Sequence, residues 1–557
     1  MAEDGVVTDP AAHPSSTEAV TLGGGDRQDA AMTTAPPAAR EDALESARLH
    51  RRHREVGPPL AILVQFFEAL EQQRIRYCHW KSTTGIPRGL SGLTDLDLLV
   101  DRADAARFRG ELERLCFKRL VSSPGAQYPG IEDHLGLDEA TGKLVHLHVH
   151  YRLVLGAEHV KNHLLPIEMA FLEATHLEHG VRVPEPALEA AVLAIRVLLK
   201  AERPSLIARL TGRSAGGAIT AHVAGEFADL RTRYTDDEMA ATLARHLAFV
   251  PPAVILETIA QADGGRPAHG QADRSRRLRR ALQPYQRMSG LRAWLRGRRA
   301  TLGEGRVKGR LLRPLMPPRR RKTPVGGGLS VAFIGSDGSG KSTVVREVAA
   351  WLSWRLDVRT AYMGTSQPSA TARLWRSVSQ LTAMADAALR RLGVPGSAGG
   401  NVTARVRREA LSARHLADAR DRRRRSTDGR RLVGQGWVVL YDRYPLPGAL
   451  VRGRPIDGAR ITGTAEGSME PGSTGRAARA EQRIYAGIAP PDLTIVLRVS
   501  PEVAEARKPD HDRIVLAEKA ASVAEIAAEH PGIVVIDADA PLDEVLVEVK
   551  RFIWRQL

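Results

Sequence analysis

A chain of 557 residues exceeds what a single hydrophobic core organises, so roughly three or four domains are expected. Its two cysteines, Cys78 and Cys116, are too few for a disulfide-framed scaffold and fit a reducing cytoplasm, and no run of about 18 apolar residues is present to span a bilayer. The formal net charge is +17, yet eighteen Lys or Arg against one acid, Glu304, lie between Arg274 and Lys322; the rest of the chain sums to zero, so the basicity marks a connector and not a nucleic-acid-binding face.

Residues 1–55 are rich in Ala, Gly, Ser, Thr and Pro and read as a disordered tail, without the basic head and apolar core of a secretory signal. Order begins at "PPLAILVQFFEALEQQ", an amphipathic helix. "TDLDLLV" then alternates like a strand, "ADAARFRGELERLCF" is helical, and "HLGLD-EATGK-LVHLHVHYRLVL" gives two strands around a turn, all within an expected domain over 56–178. Residues 179–265 read as a helical segment packed on that domain, and 266–327 as a basic linker. The linker is either solvated with some helix or a patch that touches an anionic membrane or another polyanion. From 328 onward the apolar runs "LSVAFI", "VRTAYM", "WVVLYD", "LTIVLRV" and "IVVID" alternate with helical stretches, the pattern of an α/β domain whose parallel sheet is covered by helices on both faces.

The second of these domains carries the sharper chemistry. Gly335, Ser336, Asp337, Gly338, Ser339, Gly340, Lys341, Ser342 and Thr343 span a G-x-x-x-x-G-K-[ST] loop, with a buried strand before it and an amphipathic helix after it. The glycines let backbone N–H groups turn inward on a triphosphate, Lys341 reaches its terminal phosphates, and the Ser342 hydroxyl ligates Mg²⁺. Asp442 ends the strand "WVVLY" at the ligand edge of the sheet, where it is placed to hold a Mg²⁺-bound water, and Arg443 is placed to clamp an acceptor phosphate. Arg507, with Arg513 in the following polar segment, reads as a lid over the transferred group. The basic helix "ARVRREALSARHLADARDRRRRS" reads as a solvated face, with Arg414 or Arg420 as alternatives turned toward the site.

"GSDGSGKST", "DRY" and "PDLTIVLRVSPEVAEAR" resemble, in order and spacing, the thymidylate kinase family of nucleoside monophosphate kinases over about residues 328–557. The resemblance implies a five-stranded parallel sheet, ATP with Mg²⁺, an acceptor near Arg443, and Asp337 facing that acceptor. The sequence departs from the family at "YMGTSQPS", where an Arg-Glu-Pro stretch is usual, and in the Gly- and Arg-rich stretch 452–475.

In the first domain, alternation puts Asp95 and Asp97 on one face of "TDLDLLV", where two carboxylates can ligate Mg²⁺, and Lys81 and Ser82 of "HWKS" can meet phosphates. These residues are similar to the nucleotidyltransferase superfamily over about 58–178. That family usually supplies a third carboxylate from a later strand. Here the corresponding face carries His146, His148 and His150, with His148 in the expected place of the acid; the three are a transition-metal site, substrate donors or a plain polar strand face. The joint expectation is an enzyme transferring a phosphoryl group from ATP to a nucleoside monophosphate or a related phosphorylated or sugar-like acceptor, fused to a nucleotidyltransferase-like domain that is either active or a binding or degenerate version of that fold. The alternative is a regulatory NTP-binding switch that docks on a membrane or polymer-biosynthesis machine through its basic linker.

Overall fold

The computed structural model describes residues 56–122, 126–156, 160–200, 221–263, 270–297, 321–391, 398–445, 450–451, 454–455, 457–461, 473–507, 521 and 533–557. The expected tail over 1–55, the central part of the expected linker and most of the Gly- and Arg-rich stretch after Arg452 fall outside these residues.

The first layer is built on α1 (Ala61–Gln72), β1 (Tyr77–His79), β2 (Leu96–Val100), α2 (Ala105–Arg114), β3 (Lys118–Val121), β4 (Ile131–Asp138) and β5 (Lys143–His150). Four of the five β2 residues are apolar and buried, leaving Asp97 as the polar exception. β2 runs parallel to β5, and the other pairs are antiparallel in the order β1-β2-β5-β4-β3. α1 and α2 cover one face with an aromatic cluster in which the Phe66 and Phe108 rings meet edge-on at 5.5 Å.

Against this sheet pack α3 (Pro186–Lys200), α4 (Ala221–Arg231), α5 (Asp236–His246) and α6 (Pro252–Asp263). α3 is apolar almost all round and buries accordingly, and a Thr235–Glu238 capping box starts α5. Their core takes in Cys78, Trp80 and Leu99 from the strands, so helices and sheet share one interior. The segment expected as a linker opens with a folded helix, α7 (Gln271–Ala281): Leu278 and Leu282 join that core, and the Ser275 hydroxyl donates to the Leu198 carbonyl at 2.9 Å. The apolar spacing of four seats this helix, Arg274 is buried beside it, and Arg279 donates to the Leu199 carbonyl at 3.0 Å.

The linker also ends in structure. β6 (Thr323–Pro324) adds antiparallel to β3 and makes the first sheet six-stranded. A few residues later the second sheet begins. It comprises β7 (Leu329–Ile334), α8 (Lys341–Leu352), β8 (Val358–Tyr362), α9 (Ala370–Arg391), α10 (Ala398–Val433), β9 (Val438–Asp442), α11 (Ser473–Ala486), β10 (Leu493–Arg498), α12 (Pro501–Arg507), β11 (Ile533–Asp537) and α13 (Leu542–Gln556). All its pairs are parallel, in the order β8-β9-β7-β10-β11. The five strands are the five apolar runs of the sequence, and central β7 is buried at every position.

Candidate functional sites

The loop after β7 sits where the strand order reverses, at the carboxyl edge of the parallel sheet. Gly338 has φ of 91°, and a Cβ there would lie 2.8 Å from the Ala504 carbonyl oxygen of α12, so both the backbone turn and the close approach require glycine. Gly340, at φ 78°, starts α8. The Lys341 ammonium folds back onto the loop, donating to the Ser336 carbonyl at 2.5 Å with the Ser339 hydroxyl at 3.3 Å. Burial pushes its pKa down to about 8. The loop is therefore shaped around a buried cation held by weak neutral acceptors, an arrangement that a phosphate oxygen improves.

Ser342 Oγ donates to Asp442 Oδ2 at 2.7 Å, which joins the first turn of α8 to the end of β9. The other oxygen, Asp442 Oδ1, is buried without a hydrogen-bond partner. One hydroxyl and one carboxylate, whose second oxygen is buried and unsatisfied, lie beside this loop and suit Mg²⁺ as protein ligands. Arg443 follows in the left-handed region at φ 70°, which turns its side chain back to the loop: Nη2 bonds Asp337 Oδ1 at 2.6 Å and Nη1 lies 3.7 Å from Asp457. Burial alone would lower the Arg443 pKa, but Asp457 and Asp337 outweigh it and raise it. Arg507 donates to the Ala538 carbonyl at 3.0 Å, and its helix contributes the Ala504 backbone behind Gly338. Arg513 lies outside the described residues.

A cavity of about 460 Å³ opens between α10, α11 and the chain around Arg460. Arg414 and Arg422 line it, and each keeps a buried N–H without a partner, Nε and Nη2 respectively. Arg422 is fixed by the Met363 carbonyl at 2.8 Å and the Tyr485 hydroxyl at 2.5 Å. Buried Glu481 accepts the backbone N–H groups of Arg460 and Ile461, which fixes the opposite wall. Burial drives the His415 pKa down to about 4, so its imidazole is neutral there. Arg420 is exposed. Sequence reasoning missed Arg422, although Arg414, Asp418, Arg422 and Ser426 repeat every four residues, the spacing of one helix face; the surrounding arginines hide the stripe.

The second cluster lies on the first sheet. The strand registers set Asp97 of β2 beside His148 of β5, and His148 opposite Asp133 of β4. His148 Nδ1 is 2.8 Å from Asp97 Oδ1, and His146 Nδ1 is 3.0 Å from Asp95 Oδ1. His150 Nε2 is 3.6 Å from Asp97. Burial lowers His148 and drives His150 to about 3, so both are neutral at pH 7. Burial by itself would raise the Asp97 carboxyl, but the Lys81 ammonium at 2.6 Å and the two histidines hold it well below the usual range. Ser82, at φ 58°, begins the short turn that Glu189 anchors through the Thr83 N–H at 2.9 Å.

The acid missing from β5 thus has a neighbour on β4: Asp133 was not singled out in the sequence, and His148 stands between it and Asp97. Each of the three carboxylates meets a cation. Lys81 pairs with Asp97, Lys322 with Asp133, and Arg355 with Asp95. Arg355 comes from the turn after α8, so both sheets contribute to this cluster. Asp97, His148 and His150 also bring ligand atoms within 4.8 Å of one another, the one such grouping among the described residues; a metal ion entering it would compete with Lys81.

No helix among the described residues is long and apolar enough to cross a membrane. No protein-family model matches the chain. It is 30% identical over 237 residues to the "Uncharacterized ATP-binding protein YghS" of Escherichia coli K12, covering 41% of this chain and 93% of that protein. It is 28% identical over 233 residues to the "Uncharacterized ATP-binding protein YghR" of the same strain, 40% of this chain and 85% of that protein, and matches YghR of Escherichia coli O6:H1 to the same extent. The chain, in the part that aligns with nearly all of YghS, belongs to the family of these ATP-binding proteins.

Proposed function

We propose that the chain is a phosphotransferase that binds ATP and Mg²⁺ at the Gly335–Thr343 loop and passes the γ-phosphoryl group to a small phosphorylated acceptor, in the manner of the thymidylate kinases. The observation that carries this is the Ser342–Asp442 pair with its buried, unpartnered Oδ1, next in sequence to the buried Lys341. The names of the bacterial relatives, ATP-binding proteins, agree with the nucleotide. Bound Mg²⁺ would screen charge on the β and γ phosphates. Lys341 holds the terminal phosphates, and Arg443, charged and aimed inward by Asp337 and Asp457, orients the group in transfer. The acceptor lies in the 460 Å³ cavity, where Arg414 and Arg422 have donors for a phosphate monoester. In the reaction the γ-phosphorus bond to the bridging oxygen breaks, a bond to the acceptor oxygen forms, ADP leaves and the acceptor proton passes to solvent. The acceptor is a nucleoside monophosphate or a phosphorylated or sugar-like molecule of that size. On this reading residues 328–557 form the kinase-like domain, 56–178 a nucleotidyltransferase-like domain whose acids are held by cations, and 179–265 its helical support, in a cytoplasmic protein.

ADP formation against a panel of nucleoside monophosphates and sugar phosphates tests the proposal. Turnover should require an acceptor, fall about 10²-fold or more in Lys341→Ala, and show a raised acceptor KM in Arg422→Ala. Slow hydrolysis that ignores every acceptor would favour a nucleotide switch instead.

A further inference from the structure

Between β3, β4 and the turn after α8 lies a second and larger cavity, of about 930 Å³, which the transfer reaction does not use. Its walls carry five cationic side chains, Arg119, Lys161, Arg321, Lys322 and Arg355, against two carboxylates, Glu132 and Asp133. Those acids are already satisfied: Lys322 pairs with Asp133, and Arg119 lies 3.3 Å from Glu132. Arg355 covers Asp95 just beside the cavity. The remaining positive charge faces the open volume.

Two of the cations are held ready on aromatic faces. The Arg355 guanidinium carbon lies 4.2 Å from the centre of the Trp354 ring, and its Nε–H is buried without a partner. Lys161 sits 4.9 Å from the Tyr128 ring. Burial pushes the Lys161 pKa down to about 8, which still leaves it charged at pH 7. A cation fixed on a ring loses little rotamer freedom when an anion arrives. A divalent metal finds the opposite setting, since Asp95, Asp97 and Asp133 each have a protein cation in contact and entry would expel it.

We infer that this cavity is a binding site for a small organic molecule bearing a phosphate or pyrophosphate group, held by protein cations contributed from both sheets. The volume suits a ligand of metabolite size, and the charge excess suits a doubly or triply charged group. The inference does not depend on the transfer reaction. It does connect the two sites physically, because α8 has Lys341 at its first residue and Trp354 and Arg355 just beyond its last.

Calorimetric titration of the full chain with inorganic pyrophosphate tests it. Lys341→Ala with Arg422→Ala removes the principal anion contacts of the loop and of the 460 Å³ cavity, and in that background one binding event should persist and weaken as salt is raised. Adding Lys161→Ala with Arg321→Ala should lower its affinity about tenfold or more, Arg355→Ala should do the same, and Arg355→Lys should retain part of it. If Arg355→Ala does not fold, the Lys161/Arg321 pair decides the matter alone. Loss of all pyrophosphate binding in the Lys341→Ala/Arg422→Ala background overturns the inference, as does a persisting event indifferent to the cavity variants. So does Mg²⁺ binding to wild type that disappears in Asp97→Asn, because the acids would then be a metal site.

Discussion

Replacing Asp442 by Asn separates what this residue costs the fold from what it contributes to a bound metal. The side chain does two things: Oδ2 accepts from Ser342 at 2.7 Å, and Oδ1 is buried with nothing to accept. An amide retains a partner for the Ser342 hydroxyl, so little of the first contact is lost. The second feature is a liability, since an unsatisfied buried polar atom costs about 1–3 kcal/mol, more when ionised. Removing the charge should leave the protein as stable as wild type or more stable by up to ~1 kcal/mol. Activity should move the other way. A carboxylate contact to a metal that neutralises transferring phosphate is of the size of other preorganised electrostatic contacts, about 2–4 kcal/mol, which is roughly 30- to 1000-fold in rate. The assays are thermal unfolding without nucleotide and Mg²⁺-dependent ADP formation across a range of metal concentrations. A clear fall in Tm with unchanged Mg²⁺ dependence would refute the reasoning, because it would make the Ser342–Asp442 bond a structural tie and nothing else.

Lys341 should impart a pH dependence to nucleotide binding. Its folded pKa is about 8 against 10.5, so burial of the charge costs stability below about pH 8, and stability rises between that pH and 10.5. A bound phosphate restores the charge, so affinity should fall by up to about tenfold per pH unit above pH 8, with proton uptake on binding; flat affinity from pH 7 to 9.5 would contradict it. Gly338→Ala should lower stability by about 1–2 kcal/mol and weaken nucleotide binding, since the new methyl meets the Ala504 carbonyl at a left-handed position; an unchanged melting curve would count against this loop geometry. Asp97→Asn should destabilise by about 3 kcal/mol whether Mg²⁺ or chelator is present, because it strands Lys81. The Asp97 carboxyl is held well below its unfolded value, so its contribution is present above about pH 4 and is lost as pH falls toward the folded pKa; a loss confined to Mg²⁺-containing buffer would indicate a metal ligand instead.

The parallel sheet was legible because a strand covered on both faces must be mostly apolar, and β7 and β9 are, apart from Ser330 and the terminal Asp442. The loop was legible because its residue types are dictated by backbone approach. Asp95, Asp97 and the three histidines were legible as faces, since period two places them without knowledge of neighbours. Asp133 was recoverable too: once the Glu139–Gly142 turn is recognised, counting outward from the Asp138–Lys143 pair brings Asp133 opposite His148. Arg355 and Lys322 were not recoverable. Each meets its acid across a long stretch of chain, and in the sequence Lys322 is one more residue of a basic run. The packing at the two ends of the basic segment was not legible for a related reason: Leu278 and Leu282 are too few to outweigh the arginines around them, and two residues of strand make no periodic signal.

The pairing of β6 with β3 also sets a schedule for synthesis. Roughly 200 residues separate Val121 from its partner Thr323, so when the first strands emerge from the ribosome their sheet has an open margin at β3. At ~5–20 residues per second that margin stays unpaired for about 10–40 s, long enough for another nascent chain to find it. Lys118 and Arg119 place positive charge along it in the meantime. The strand that closes it ends in Pro324, which has no N–H to offer a further strand, and the residues that finish the first sheet immediately precede those that begin the second. Completion of the older half of the molecule is in this way a signal that the younger half has started.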